Sequence, residues 1–330
     1  MKFQALGSNY DLRWAMRQLV ATGTEKSSKQ LVTALEHRYG GHAYLYSKGR
    51  NALSQAVQLC RDDTTSRIAI NGLTCSVVVD AIRDADAQPM YLDVDPATAH
   101  FDIHTLKNAV AKQEDISAVI IQNTYGRMVD IAPIEEFAKQ HDILLIEDLA
   151  HSIGQKYPDG REAGTVGDLV MLSFGRDKIL DVVNGGALII RSPKLHHAMQ
   201  PPQQMPSLLT QFRDRIYPAL TWKVRTMYNI GLGKIIHLAM YRLRLAVRSA
   251  DGIISRSERL PHWQASLINE RLAQLDETNE HRRGIMAVYQ RYFGDSLISK
   301  NGTIRAAVAV ENRTGALKAL RTAGYELDDT

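Results

Sequence analysis

The first two-thirds of the chain alternates short apolar runs with longer segments of helical spacing. The runs AVIIQ and ILLIE are almost continuously apolar, which is typical of strands buried on both faces of a sheet. Strands are predicted at Ala43–Tyr46, Arg67–Asn71, Pro89–Val94, Ser117–Gln122, Ile143–Glu147, Asp168–Ser173 and Ala187–Arg191. Helices are predicted between them at Arg50–Cys60, Ser76–Asp84, Asp102–Lys112 and Pro133–His141. This order predicts an α/β fold in which helices sandwich a mainly parallel sheet.

The remaining third changes character after a Pro- and Gln-rich segment at 192–207, which is predicted to be a linker. A helical pattern covers 261–293, and a strand at Thr303–Val310 with a helix at Arg313–Ala323 predicts a small C-terminal α+β domain. We therefore predict three parts: a large domain at 1–200, a helical insertion at 201–260, and an interdomain helix with the small domain at 261–330.

The insertion is strongly basic between 208 and 250, with eight Lys or Arg residues and one acid, Asp214. Apolar residues recur there at helical spacing, at Leu220, Val224, Met227, Gly231, Ile235, Leu238 and Tyr241. Two interpretations stay open. The segment is either an arm that packs on a partner subunit or an amphipathic helix that lies on an anionic membrane.

Composition excludes several classes of protein. The chain has 330 residues, of which 45% are hydrophobic, and a formal charge of only +4, which is too small to indicate nucleic-acid binding. Its two cysteines, Cys60 and Cys75, predict neither a metal cluster nor a disulfide framework, and this fits a reducing compartment. No apolar run reaches the ~18 residues that span a bilayer, and the N-terminus lacks an apolar signal core. We therefore expect a cytoplasmic protein.

Three segments with candidate chemistry lie at predicted strand ends. One contains Asp148 and His151, and a second contains Ser173 and Lys178 and is followed by Gly185-Gly186. The third, Tyr46–Asn51, turns a strand into a helix. Because ligands of such sheets bind beyond the carboxyl ends of the strands, we expect the three segments to form one site.

Together these segments resemble the DegT/DnrJ/EryC1/StrS family, the PLP-dependent sugar aminotransferases of fold type I, from about residue 40 to 191 and weakly at 261–290. The resemblance implies that Lys178 binds PLP covalently and moves a proton, and that Asp148 pairs with the pyridine nitrogen. The residues expected to contact the cofactor are Lys178, Asp148, His151, Ser173, Gly49, Arg50, Asn51 and Cys75. No metal is expected. An amine attacks only when it is neutral, so the role of Lys178 requires a lowered pKa. We expect burial beside a cationic pyridinium to lower it.

The chain departs from the family pattern at several positions. Cys75 stands where many members have an aromatic residue over the ring, and Gly175 stands where members often have histidine. The element that reaches the partner subunit's cofactor is not recognisable in Ser255–Pro261. Members usually run longer than this chain, so either the small domain is a shortened version or part of the substrate domain is absent.

The resemblance implies transfer of an amino group from an amino acid, of which glutamate is the first candidate, to a keto-sugar or related carbonyl compound. The reaction would belong to cell-envelope or secondary-metabolite biosynthesis. The resemblance also implies a homodimer. A dehydratase of the same fold and a non-catalytic ligand-binding relative remain alternatives. In the family's sugar dehydratases histidine replaces the lysine, so Lys178 argues against the first. A dinucleotide-binding oxidoreductase is disfavoured because no Gly-x-Gly-x-x-Gly run follows an early strand.

Overall fold

The computed structural model describes residues 2–3, 8–61, 66–112, 116–245 and 257–326. The strands are β1 (Lys2–Phe3), β2 (His42–Tyr46), β3 (Arg67–Asn71), β4 (Gln88–Leu92), β5 (Ile116–Gln122), β6 (Leu144–Asp148), β7 (Leu169–Ser173), β8 (Gly186–Ile190) and β9 (Tyr325–Glu326). Strands β2 to β8 form one sheet in the order β2-β8-β7-β6-β5-β3-β4, and β1 pairs with β9. The five strands from β7 to β4 in that order run parallel, whereas β8 is antiparallel to both of its neighbours. The expectation of a mainly parallel sheet is confirmed.

Helices cover both faces of the sheet, and further helices follow its last strand along the chain. They are α1 (Leu12–Leu19), α2 (Glu25–Tyr39), α3 (Gly49–Cys60), α4 (Ser76–Asp84), α5 (Ile103–Lys112), α6 (Ala132–Gln140), α7 (Pro193–His196), α8 (Leu208–Met227), α9 (Leu232–Arg242), α10 (His262–Leu272), α11 (Leu275–Phe293) and α12 (Arg313–Thr322). Short 3-10 turns occur at Thr124–Gly126, Leu149–His151 and Gly294–Ser296. Within the described ranges, every helix is too short or too polar to span a bilayer.

The core has two layers because strand side chains alternate between the faces of the sheet. Val119 and Ile121 of β5 pack with α2, α6 and α10, whereas Ala118 and Ile120 pack with α3 and α4 on the opposite face. Both sets are buried, which explains why the strand sequences read as continuous apolar runs rather than as an alternation.

The seven strands and four helices predicted for the first two-thirds are confirmed to within two residues. The strand predicted at Thr303–Val310 is wrong. Val308 forms a single bridge to Leu297, and the segment has no neighbouring strand to pair with in the described structure. The helical pattern at 261–293 is divided between α10 and α11, and helices α1 and α2 were not predicted. The division into three domains stays a prediction.

The basic insertion is a hairpin of two helices, and the single amphipathic face predicted for it is wrong. Helix α8 ends at Met227, and Gly231, with φ of 83°, starts α9 in a left-handed conformation that favours glycine. The break changes the rotational phase of the pattern, so Val224 is buried whereas Ile235 and Leu238 are exposed. Residues 246–250 of the predicted segment, with Arg248, lie outside the described residues, as does the part of Ser255–Pro261 before residue 257.

Candidate active site

A cavity of about 620 Å³ opens at the carboxyl ends of the parallel strands. Its walls come from the segments that follow β3, β5, β6 and β7, from the start of α3, and from one side of α8. The volume lies within the range of small-molecule and cofactor sites. The cavity brings together the three segments that the sequence placed at strand ends.

Asp148 lies at the base of this cavity, where β6 ends and a short 3-10 turn begins. Its carboxylate is buried, and Oδ1 accepts the Ala150 backbone N–H at 2.9 Å. Burial raises the pKa of Asp148, while the Ala150 N–H and the charge on Lys178 oppose that shift. The carboxylate is therefore poised to pair with a cation that a ligand brings into the cavity.

Lys178 lines the same cavity from the loop after β7. Burial lowers the pKa of Lys178, the nearby Arg305 lowers it further, and Asp148 opposes both. A lowered pKa increases the fraction of neutral amine, which is the nucleophilic form. The lowered pKa agrees with the expectation from the sequence, whereas the catalytic role of Lys178 stays a prediction.

Asp181 holds the lysine loop in an unusual backbone conformation. Asp177, just before Lys178, and Val183, five residues after it, have backbone conformations in the left-handed region, with φ of 65° and 76°. The buried Asp181 carboxylate accepts both of their backbone N–H groups, at 3.1 and 2.8 Å, and also the Ser8 and Tyr10 hydroxyls. Burial raises the pKa of Asp181 to about 6. Sequence reasoning did not identify this residue, because the two hydroxyl partners, Ser8 and Tyr10, lie 173 and 171 positions away.

The first turn of α3 forms another wall and depends on close backbone packing. A Cβ added to Gly49 would lie 2.9 Å from both Cβ and Oγ of Ser173, and one added to Gly186 would lie 2.5 Å from Gly49 Cα. Gly49, Arg50 and Ser173 all line the cavity. A helix N-terminus beside an arginine and a hydroxyl is suited to a phosphate group.

Asn51, predicted as a cofactor contact, is buried in α3 and is not among the residues that line the cavity. Its role as a cofactor contact through the backbone N–H groups at the start of α3 stays a prediction.

His151 and Cys75 also line the cavity, as predicted. Nδ1 of His151 accepts the Tyr125 backbone N–H at 3.3 Å, and burial together with Lys178 lowers the pKa of His151 to about 3. The ring is therefore neutral near pH 7. Cys75 is the residue before α4, is exposed and lines the cavity, as does Gly175.

Sequence reasoning missed the wall that α8 contributes, because helix packing between distant segments leaves no local motif. Asp214 is buried beside the cavity and accepts the Asn184 side-chain N–H at 2.8 Å. Burial raises the pKa of Asp214 to about 6. The guanidinium of Arg176 lies over the Tyr217 ring at 4.2 Å, and both side chains line the cavity.

Lys48 is a second lysine in the cavity, at the start of α3. Burial, and then the neighbouring Arg50, lower the pKa of Lys48. Lys48 therefore competes with Lys178 as the most reactive amine of the site on charge state alone.

The residues present fit PLP, the cofactor that the resemblance implies. PLP needs a carboxylate for its ring nitrogen, an amine for its aldehyde and donors for its phosphate. The buried Asp148, the desolvated Lys178 and the α3 N-terminus provide these three groups around one cavity. Among the described residues there is no cluster of three His, Cys, Asp or Glu side chains that could hold a metal ion.

Curated relatives with named activities match this chain over part of their length. An L-glutamine:2-deoxy-scyllo-inosose aminotransferase of Micromonospora echinospora is 26% identical over 254 residues, which cover 77% of this chain and 54% of the relative. A GDP-perosamine synthase of Caulobacter vibrioides is 28% identical over 159 residues, which cover 48% and 42%. The chain thus spans about half the length of these relatives, or less.

Solved structures share the fold. A DegT/DnrJ/EryC1/StrS aminotransferase from Brucella abortus superposes with a TM-score of 0.67 at 19% identity, over 95% of this chain and 78% of its own. A GDP-4-keto-6-deoxy-D-mannose-3-dehydratase from E. coli, solved with hydrated PLP, superposes with a TM-score of 0.69 at 16% identity, over 99% and 85%. At these identities the likeness establishes the fold alone.

The family model named DegT/DnrJ/EryC1/StrS aminotransferase family matches residues 29–312. The match covers the whole sheet, the cavity and the helical hairpin. The chain belongs to the DegT/DnrJ/EryC1/StrS aminotransferase family.

Proposed function

We propose that this protein is a PLP-dependent aminotransferase that transfers an amino group from an amino acid to a keto-sugar or related carbonyl compound. The observation that carries the proposal is the presence of Lys178 and Asp148 in one cavity at the carboxyl edge of the sheet. Family membership supports the same reaction class.

Asp148 is proposed to hold the pyridine nitrogen in its protonated form. Burial raises the pKa of Asp148 although the charge on Lys178 opposes the shift, and a pyridinium would add a second cation that favours the carboxylate. PLP, when bound, supplies an electron sink for the bonds at the amino carbon of the donor. Loss of the Asp148 charge should weaken that capacity.

Lys178 is proposed to hold the cofactor covalently and, once released by the incoming amine, to move the proton. Its lowered pKa suits a group that must accept and return a proton near neutral pH. The loop that carries it is fixed at Asp177 and Val183 by Asp181, so Nζ is presented from a constrained backbone.

Gly49, Arg50 and Ser173 are proposed to bind the phosphate, and His151 and Cys75 to line the ring. His151 is neutral because of its low pKa, so it offers a flat, uncharged surface. The dehydratase and the non-catalytic alternative receive no specific support from the site, since Lys178 and Asp148 are both present.

We further propose a cytoplasmic homodimer whose basic insertion makes peripheral contact with the inner membrane surface. The compartment and the dimer rest on the family resemblance and on the composition. Sedimentation equilibrium that finds an active monomer would contradict the dimer.

The test of the activity is a half-reaction without acceptor. PLP-loaded protein is mixed with L-glutamate or, because the Micromonospora relative is named for it, with L-glutamine. We expect one equivalent of the matching 2-oxo acid per active site, and none from Lys178→Ala. The exposed Lys194→Ala is the matched control and should react like the unmodified protein. Absence of oxo acid from both donors would contradict the proposal.

A further inference from the structure

Helix α9 presents an apolar face to solvent. Leu232, Ile235 and Leu238 recur every three residues and are 41%, 65% and 60% exposed. The opposite face of α9, with Gly233 and Met240, is buried against α8. A soluble helix normally turns its apolar stripe inward, so an outward stripe in addition to a buried one indicates a surface that binds something.

Further exposed apolar side chains lie just beyond both ends of α9 and at the beginning of α8. Ile230 and Leu243 are 74% and 66% exposed. Leu208, Leu209 and Phe212, in the first turns of α8, are exposed as well. We call these residues, together with the stripe of α9, the hairpin surface.

Cations flank the hairpin surface and exposed acids are absent from it. Lys223, Lys234, Arg242 and Arg244 are exposed. Asp214 is the sole acid in the sequence between 208 and 245, and it is buried. Any partner that covers this surface therefore meets positive charge and apolar side chains, without exposed carboxylates.

Three other arginines of the hairpin are directed inward. Arg215 lies over the Trp263 ring at 4.2 Å, Arg225 donates to the Ser8 carbonyl, and Arg213 lines the cavity. Those contacts fix the hairpin to the body of the protein. The exposed cations are left for an external partner.

The hairpin surface adjoins the cavity. Thr210 and Leu245 line the cavity, and their sequence neighbours Leu209 and Arg244 belong to the exposed surface or its cationic margin. A partner held on the hairpin therefore lies beside the cavity wall formed by α8.

We propose that the hairpin surface docks the protein on an anionic lipid bilayer, with the apolar stripe of α9 at the headgroup boundary. Apolar side chains beside cations, on a helix with no exposed acid, are the profile of a helix that lies in the plane of a membrane. A second copy of the chain fits less well. An isologous contact would bring two cation-bearing surfaces together, and the sole acid between 208 and 245, Asp214, is buried. The docking does not depend on the proposed reaction.

The test is sedimentation with vesicles of phosphatidylcholine alone or with phosphatidylserine, at low and high salt. We expect binding to the anionic vesicles only, and a loss of that binding at high salt. Neutralising Lys234, Arg242 and Arg244 to Gln should weaken binding about 100-fold, at about fivefold per cation. Changing Ile235 and Leu238 to Ser should weaken it at least about tenfold.

The matched control removes three exposed cations from other helices, Lys26, Arg83 and Lys318, each changed to Gln. This variant has the same net charge as the hairpin variant and should keep more of the binding. No binding at low salt, or equal losses in the two charge variants, would overturn the proposal. A dimer in lipid-free buffer that Ile235→Ser with Leu238→Ser converts to monomer would also overturn it, because the surface would then face a second copy. The glutamate half-reaction, measured without vesicles, reports separately on the proposed function.

Discussion

The cavity at the edge of the sheet and the helical hairpin both contain basic side chains, which are buried in the first region and exposed in the second. In the cavity, Lys178 and Asp148 are desolvated. Burial lowers the pKa of Lys178 and raises that of Asp148, and both shifts favour the neutral form. On the hairpin, Lys234 and Arg242 are exposed beside aliphatic side chains that are exposed as well. The reactivity proposed for the first region depends on burial, and the membrane docking proposed for the second depends on exposure.

The two regions also differ in how they are supported. Strand β6 is buried between β5 and β7, so Asp148 stands on a rigid base. The adjacent Glu147 is also buried, and it accepts the Tyr157 hydroxyl and the backbone N–H groups of Gly164, Val166 and Gly167. The hairpin surface has no such covering within the described chain. Variants of the two regions should therefore affect different properties.

The largest expected effect is on chemistry at the cavity. Lys178→Ala should lower the rate of amino transfer by about 10³-fold or more, because Lys178 is proposed both to hold the cofactor and to move the proton. Thermal unfolding should change little, since Lys178 lies on the cavity wall rather than in the core. The measurement is single-turnover oxo-acid release, with Lys194→Ala as control. A variant that retains more than a tenth of the rate would contradict the assignment.

The neighbouring carboxylates of β6 should separate activity from stability. Glu147→Gln should cost about 3 kcal/mol of unfolding free energy, since an amide N–H₂ would face backbone donors that now bind a carboxylate. Asp148→Asn should change stability by less than about 1 kcal/mol, because burial already disfavours its charge, yet lower activity about 10²-fold. Urea unfolding and turnover check both. Equal stability losses in the two variants would contradict the distinction.

Truncation of one isoleucine in each region compares packing directly. Ile120 of β5 is fully buried, and Ile120→Ala should cost about 3 kcal/mol through lost contacts and a cavity. Ile235→Ala on the hairpin should change stability by less than about 0.5 kcal/mol in lipid-free buffer. Urea midpoints give both values. A cost above about 1.5 kcal/mol at Ile235 would show that the stripe is covered in solution.

A pH dependence of stability is expected from two buried carboxyls, Asp181 in the loop after Lys178 and Asp214 in α8. Burial raises the pKa of Asp181 and of Asp214 to about 6, above the value of about 3.9 in an unfolded chain. The folded state then binds more protons between pH 4 and 6, so each carboxyl contributes stability that is present below pH 4 and is lost as the pH rises through 6. The slope reaches about 1.4 kcal/mol per pH unit for each group.

Unfolding free energies between pH 4 and 7 check this dependence. Asp214→Asn should remove its share of the slope while it keeps the size of the side chain. If the slope of that variant equals that of the unmodified protein, the raised pKa of Asp214 is wrong.

The parts of the fold and the site that could be predicted from the sequence are those set by local patterns. Strands β5 and β6 were predictable because both of their faces are buried, and Asp148 and Lys178 because each follows a strand within a short motif. Asp181 and Asp214 were missed because burial and distant partners, rather than spacing, give them their roles. The surface of α9 was assigned to the wrong helical phase because Gly231 separates two helices.

Covalent mapping of the cofactor tests the central claim most directly, because the cavity holds two lysines with lowered pKa. PLP-loaded protein is reduced with borohydride and digested, and the modified peptide is identified by mass. The account predicts one cofactor per chain on Lys178 and none on Lys48, with labelling abolished in Lys178→Ala and retained in Lys48→Ala. Labelling of Lys48 in the unmodified protein, or of neither lysine, would contradict the account.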